Sequence, residues 1–233
     1  MTMHFILVEP AVPENIGAAA RALSTMGFNS LVLVNPSDFP SEKADWLAHG
    51  SAGILRRAAL FATLQEAAGR FDLIVGTTAK KRRVKADYHS PESLLKIIIQ
   101  KGKTIHHTAL VFGREESGLT NEELSLCHLV STIPMKAPYP SLNLAQAVMV
   151  YAYVLSPLAV TVTKQPVAVP GKDSLAVLRQ KVDDILECTD LKKNSTLFNR
   201  IMERLNHLGE DDVHLMHSIC NGINNKMPKE NKP

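Results

Sequence analysis

The sequence predicts an α/β fold: a mostly parallel sheet with helices on both faces, followed by a small helical C-terminal extension. Two observations predict the sheet. Short β-branched and apolar runs alternate with segments of helical spacing through residues 1–158, and these strand-like runs are apolar throughout rather than alternating, as in a sheet covered on both sides. A third predicts the extension, because beyond the Pro- and Gly-containing stretch 159–172 only helical spacing recurs, through residues 173–225.

Element by element, strand-like runs lie at 4–9, 30–35, 72–77, 108–113 and 128–134. Helix-like segments lie at 15–26, 63–70, 91–101, 121–127 and 142–155, with Gly27 as a helix-ending C′ residue and Pro91 in a first turn. A short helix is expected around Trp46, which reads as a packing anchor, with His49 and Ser51 in the same stretch. Three more helices follow at 173–188, 195–208 and 211–224, with Asp173 and Ser195 as N-caps, and a frayed tail is expected at 226–233.

Composition excludes several classes. With 45% apolar residues in 233, the chain can bury a substantial core, which argues against disorder. Its three cysteines, Cys127, Cys188 and Cys220, are an odd number without CxxC spacing, so neither a disulfide framework nor a cysteine-rich metal site is indicated and a cytoplasmic location fits. The N-terminus lacks a signal-peptide pattern, and the apolar run 142–160 contains Asn143, Gln146, Ser156 and Pro157, which favours a buried helix over a membrane span. A net charge of +3 names no partner by itself. His214, His217 and Cys220 share a helix face, but no fourth ligand stands nearby, so no metal is expected.

Three windows carry candidate chemistry. The first βα junction, residues 9–27, lacks both the dinucleotide and the phosphate-loop glycine patterns; Asn15, Gly17 and Arg21 stand there among small alanines. Gly17 permits a close backbone approach, either to a ligand at the mouth of the sheet or to a neighbouring helix. In the second window, 110–124, Gly113 ends an apolar strand and Arg114, Glu115 and Glu116 follow at its carboxyl edge, before Thr120 or Asn121 caps a helix with Glu123 in reach. The third, 137–151, passes through Ser141 and Asn143 into an apolar helix, and capping alone could account for both. Between them, KKRRVK at 80–85 holds five basic residues in six, either a solvated loop or a phosphate contact.

Taken together, NIGAAAR (15–21), LVFGREESGLTNEEL (110–124) and YPSLNLAQAV (139–148) resemble, in order and spacing, the motifs of the SpoU branch of the SPOUT superfamily of RNA 2′-O-ribose methyltransferases. The likeness covers residues 3–156 and is greatest to its TrmJ and LasT-like group. It implies a trefoil-knotted fold, a homodimer with the active site at the interface, and S-adenosylmethionine as cofactor. By motif position it implies a cofactor pocket of Thr77, Thr78, Ala79, Gly113, Ile133, Pro140, Ser141 and Leu142, and a catalytic group of Arg21, Asn15, Glu115, Ser141 and Asn143. A guanidinium donates protons and does not readily accept them, so Arg21 is expected to clamp a phosphate and stabilise charge on the ribose oxygen. Lys80, Lys81, Arg82, Arg83 and Arg114 are the expected RNA contacts, with tRNA ahead of rRNA as substrate. The alternative is an RNA-binding or assembly protein that keeps the fold without turnover.

Overall fold

In the computed structural model, six strands form one all-parallel sheet in the order β3-β2-β1-β5-β4-β6. The structure describes residues 1–80, 82, 85, 87–136, 142–159, 174–189 and 191–226. The chain divides into two compact units, Met1–Leu95 with His107–Thr163, and Lys96–His106 with Lys164–Pro233.

In the first unit the strands are β1 (Thr2–Val8), β2 (Leu31–Val34), β3 (Ala59–Phe61), β4 (Leu73–Thr77), β5 (His107–Phe112) and β6 (Leu129–Ser131). The helices are α1 (Pro13–Thr25), α2 (Glu42–Ala48), α3 (Ala52–Arg56), α4 (Leu64–Ala68), α5 (Pro91–Gln100, of which Lys96 onward belongs to the second unit), α6 (Asn121–Leu126) and α7 (Leu144–Leu155). Strand alternation sorts the core into two layers. Ile6, Val8, Val32, Val34, Ile74 and Val111 face one side, packed with Leu64 of α4 and Leu124 of α6. The opposite layer holds Phe5 stacked near Phe112, which meets Tyr151 of α7 edge-on. The alternation read from the sequence is therefore present, with an additional edge strand. β3 is three residues long and largely exposed, too short and too wet to stand out as an apolar run.

Local signals placed several ends. Gly27 follows the C-cap of α1 with φ +83°, and Pro91 opens α5. Thr120 caps α6 in a reciprocal capping box with Glu123. Two readings are corrected. Trp46 is 66% exposed on α2, so it does not anchor that helix; Ala44 and Ala48 are the buried residues there. The cap of α7 is Asn143, and the helix begins at Leu144 rather than Leu142, because the Asn143 carboxamide takes the free Ala145 N–H at 2.8 Å while Gln146 accepts from Asn143 N at 3.1 Å.

The second unit contains α8 (Leu175–Cys188), α9 (Ser195–Leu205) and α10 (Glu210–Lys226). Segment 96–106, which the sequence places within the sheet domain, belongs to this unit. Lys101 is fully buried there and donates to the Leu208 carbonyl at 3.0 Å; burial holds its ammonium down to about 8. The caps are Ser174 on α8 and Asn194 on α9, rather than Ser195 and Asp173, the latter lying outside the described residues. His217 is buried, with Nε2 at 3.1 Å from the Ser174 carbonyl and Nδ1 at 3.2 Å from Lys181 Nζ. Apart from Ala159 and Lys226, the expected linker 159–172 and tail 226–233 also lie outside the described residues. Among the described residues no helix is long and apolar enough to cross a membrane, and no group of three or more His, Cys, Asp or Glu could hold a metal ion.

Candidate active site

The carboxyl ends of β1, β5, β4 and β6 release the loops that build the site, as in open parallel sheets generally. α1 begins without a side-chain cap on its own N-terminus. Glu115, from the loop after β5, supplies one instead: its carboxylate accepts from Ala11 N at 3.1 Å, Val12 N at 3.3 Å and Asn15 Nδ2 at 2.9 Å. A carboxylate at a helix N-terminus is favoured by the free N–H groups and the helix dipole. Partial burial pushes the Glu115 carboxyl up, but the Asn15 and backbone hydrogen bonds together outweigh it and leave the group below the usual carboxylate range.

Because an ionised carboxylate only accepts, the Asn15 amide must turn its nitrogen to Glu115 and its oxygen outward. That oxygen accepts from Asn143 Nδ2 at 2.9 Å. A continuous hydrogen-bond chain thus runs Glu115–Asn15–Asn143 and ends on the first turn of α7. It joins all three sequence windows through two hydrogen bonds that span 100 and 128 positions.

Two glycines make these approaches possible. A Cβ on Gly17 would lie 2.0 Å from the Ala44 carbonyl oxygen, so this glycine lets α1 pack directly on α2; of the two uses left open for it, helix packing is the one seen. A Cβ on Gly113 would lie 2.1 Å from the Gly118 carbonyl carbon and 2.2 Å from Leu119 N. The loop 113–119 therefore folds back over its own start, with Gly118 at φ +69°.

Beside this loop lies a cavity of ≈ 290 Å³. Thr77, Thr78, Ala79, Gly113, Ile133 and Leu142 all line it, while Pro140 and Ser141 lie outside the described residues. Sequence reasoning missed Phe112, Met135, Leu144, Ala147 and Tyr151, which also line it. Tyr151 sits two turns into α7 and carried no loop signal; its hydroxyl donates to Ser131 Oγ at 2.9 Å, and burial pushes that phenol well above its ordinary value. The apolar walls, the Thr77 and Thr78 hydroxyls and Glu116 suit a nucleoside carrying a polar tail, so the lining fits S-adenosylmethionine in chemistry. Residues 13–21 do not contribute to the lining, so the first βα junction is a support rather than a wall.

The expected RNA contacts divide. Arg114 is held by Glu9 at 2.7 Å and by Glu123 at 3.0 Å, and these hydrogen bonds, Glu9 first, keep its guanidinium above its ordinary value. The Arg82 guanidinium donates to the carbonyls of Leu119 (2.8 Å) and Ser117 (3.1 Å). Both arginines are therefore tied to the site's own frame, and Arg114 in particular would have to leave two carboxylates to meet a phosphate. Lys80 is exposed on the rim, and Lys81 and Arg83 lie outside the described residues. Arg21 is exposed on α1, away from the cavity lining, and its guanidinium has no hydrogen-bond or ion-pair partner among the described residues.

An open parallel sheet with a ligand cavity at its carboxyl edge, framed by these three motifs, defines a methylase class. The chain belongs to the SpoU rRNA Methylase family, whose model matches residues 2–153, and residues 172–227 match the C-terminal domain of the tRNA/rRNA methyltransferase LasT. It is 39% identical to the uncharacterized tRNA/rRNA methyltransferase LasT of Escherichia coli (strain K12), over 98% of this chain and 100% of that protein. It is 40% identical to the tRNA (cytidine/uridine/adenosine-2′-O-)-methyltransferase TrmJ of Pseudomonas aeruginosa (strain UCBPP-PA14), over 65% of this chain and 59% of that one. Among solved structures it resembles a probable methylase family protein from Haemophilus influenzae Rd KW20, with a TM-score of 0.65 at 28% identity, over 96% of both chains.

Proposed function

We propose that this protein transfers a methyl group from S-adenosylmethionine to a ribose 2′-hydroxyl of structured RNA, with tRNA as the preferred substrate. It acts in the cytoplasm as a homodimer of knotted chains. The observation that carries this reading is the Glu115–Asn15–Asn143 chain beside a cavity lined by the residues the family resemblance assigns to the cofactor. The P. aeruginosa relative is named for this chemistry on tRNA, which sets tRNA ahead of rRNA.

Thr77, Thr78, Ala79, Gly113, Ile133 and Leu142 would hold the cofactor, together with Pro140 and Ser141, which the family resemblance adds to them. When bound, the cofactor supplies an electrophilic methyl group on a sulfonium, so the protein need only align the sugar oxygen with it and manage one proton. Thr77 Oγ1 is tied to the Val111 carbonyl at 2.9 Å, which fixes the end of β4 against β5. Glu115 and Asn15 hold the start of α1, the helix that presents Arg21. In the dimer, Arg21 reaches the partner's site, since it is exposed and is not among the cavity-lining residues of its own chain. There it clamps a substrate phosphate and stabilises negative charge developing on the ribose oxygen. Lys80, Lys81 and Arg83 steer the RNA backbone.

The test is transfer of labelled methyl from S-adenosylmethionine to bulk tRNA. The product should resist alkaline cleavage at the modified nucleotide, since methylation removes the attacking 2′-hydroxyl. Arg21→Ala should lower turnover by about 100-fold or more, and light scattering should give twice the chain mass. Wild-type protein that methylates neither tRNA nor rRNA would overturn the reading in favour of a silent RNA-binding protein.

A further inference from the structure

We infer that Arg82 is a positioning residue that clamps the two walls of the cavity into binding geometry, rather than a phosphate contact. This rests on the cavity being the S-adenosylmethionine site.

One wall comes from the segment after β4, at Thr77–Lys80, and the other from the loop after β5, at Gly113–Gly118. Arg82 extends from the first and grips the second. Nη1 donates to the Leu119 carbonyl at 2.8 Å and lies 3.4 Å from Asn121 Oδ1, while Nη2 donates to the Ser117 carbonyl at 3.1 Å. These two carbonyls flank Gly118, whose left-handed φ of +69° makes the turn. The backbone of Arg82 is anchored in turn: Arg82 N donates to the Tyr88 hydroxyl at 2.8 Å, and that hydroxyl donates back to the Arg82 carbonyl. Tyr88 packs on the buried core layer. The connection therefore runs from core to Tyr88, to Arg82, to the far wall.

The partners distinguish the two roles. A guanidinium kept for phosphate would be left in solvent or beside other cations, whereas this one faces two uncharged backbone oxygens and the Asn121 carboxamide oxygen. The two carbonyls are met by two different nitrogens of one rigid planar group; a lysine ammonium has three donors but only one nitrogen, on a flexible stem, so it would keep the charge without holding both positions. A cavity held in its binding shape beforehand loses less of its affinity to ordering the walls.

The experiment is calorimetric titration of S-adenosylmethionine, without RNA, into full-length wild type, Arg82→Lys and Arg82→Gln, with Arg70→Gln as a remote charge control. Both Arg82 variants should bind about tenfold more weakly, and Arg82→Gln should leave the salt dependence of tRNA binding at the wild-type slope. Unchanged cofactor affinity in Arg82→Lys and Arg82→Gln overturns the clamp; a phosphate contact would show this, together with a slope reduced by about one in Arg82→Gln. If either variant fails to fold, as read by circular dichroism, the other decides. Wild type that takes up no S-adenosylmethionine refutes the cofactor assignment instead. The clamp is then judged by amide hydrogen exchange across 115–121: faster exchange in the Arg82 variants supports it, and unchanged exchange overturns it.

Discussion

Replacing Gly17 by alanine should destabilise the protein, although the same change inside a helix ordinarily stabilises it by about 1 kcal/mol. The reason is geometric. The new methyl would lie 2.0 Å from the Ala44 carbonyl oxygen, whereas a carbon–oxygen contact needs about 3.3 Å. α1 and α2 would have to separate by about 1 Å, because the obstacle is backbone and cannot rotate away. Overpacking of this kind costs about 1–3 kcal/mol, and a rigid neighbour puts it at the upper end. Subtracting the propensity gain leaves a net loss of about 2 kcal/mol, or about 4–8 °C in melting temperature for a chain of this size. Gly222 supplies the opposite case, since it lies inside α10 with nothing within 4 Å of an added Cβ. Gly222→Ala should therefore raise stability by about 0.5–1 kcal/mol. Scanning calorimetry of the two variants reads both signs, and a Gly17→Ala protein as stable as wild type would refute the packing account. Since α1 also carries Asn15 and Arg21, the same variant should lose methyl transfer.

Glu115→Gln should cost about 1–2 kcal/mol of stability, because one of the three donors facing the carboxylate must then face an amide nitrogen, with solvent screening limiting the loss; Glu116→Gln, measured by urea unfolding, should stay near wild type. His4 gives a pH signature. Burial, with His107 Nδ1 3.1 Å away, lowers it from 6.5 to about 4. Since the folded value is depressed, its contribution is complete above the unfolded value and is lost as pH falls from about 6.5 towards 4. The loss amounts to roughly 3 kcal/mol at most, so a His4→Gln variant should show a flatter stability profile across that window. Gly113→Ala should unseat the loop over which Gly118 folds and weaken S-adenosylmethionine binding at least tenfold, and calorimetric affinity equal to wild type would contradict that geometry.

The alternating apolar and helical segments sufficed for a parallel sheet, since a doubly covered strand must be apolar on both faces whatever its partners. Local chemistry likewise fixed Gly27, Pro91 and the Thr120–Glu123 box, because each effect acts within one turn of chain. Trp46 failed as an anchor for the converse reason: side-chain type states what a residue could bury, not whether anything covers it. Windows at 15–21 and 110–124 announced chemistry, but not the division of labour inside them. Glu115, Arg114 and Arg82 all read as groups facing substrate, and the fold turns each of them onto backbone or carboxylate. Only folding decides that, because a charged side chain takes whichever partner the sheet order brings within 3 Å, and sheet order is a property of the whole chain. The sequence by itself determined which residue types stand at the carboxyl edge; the tertiary structure decided which of them hold the site and left Arg21 exposed, its guanidinium without a partner among the described residues.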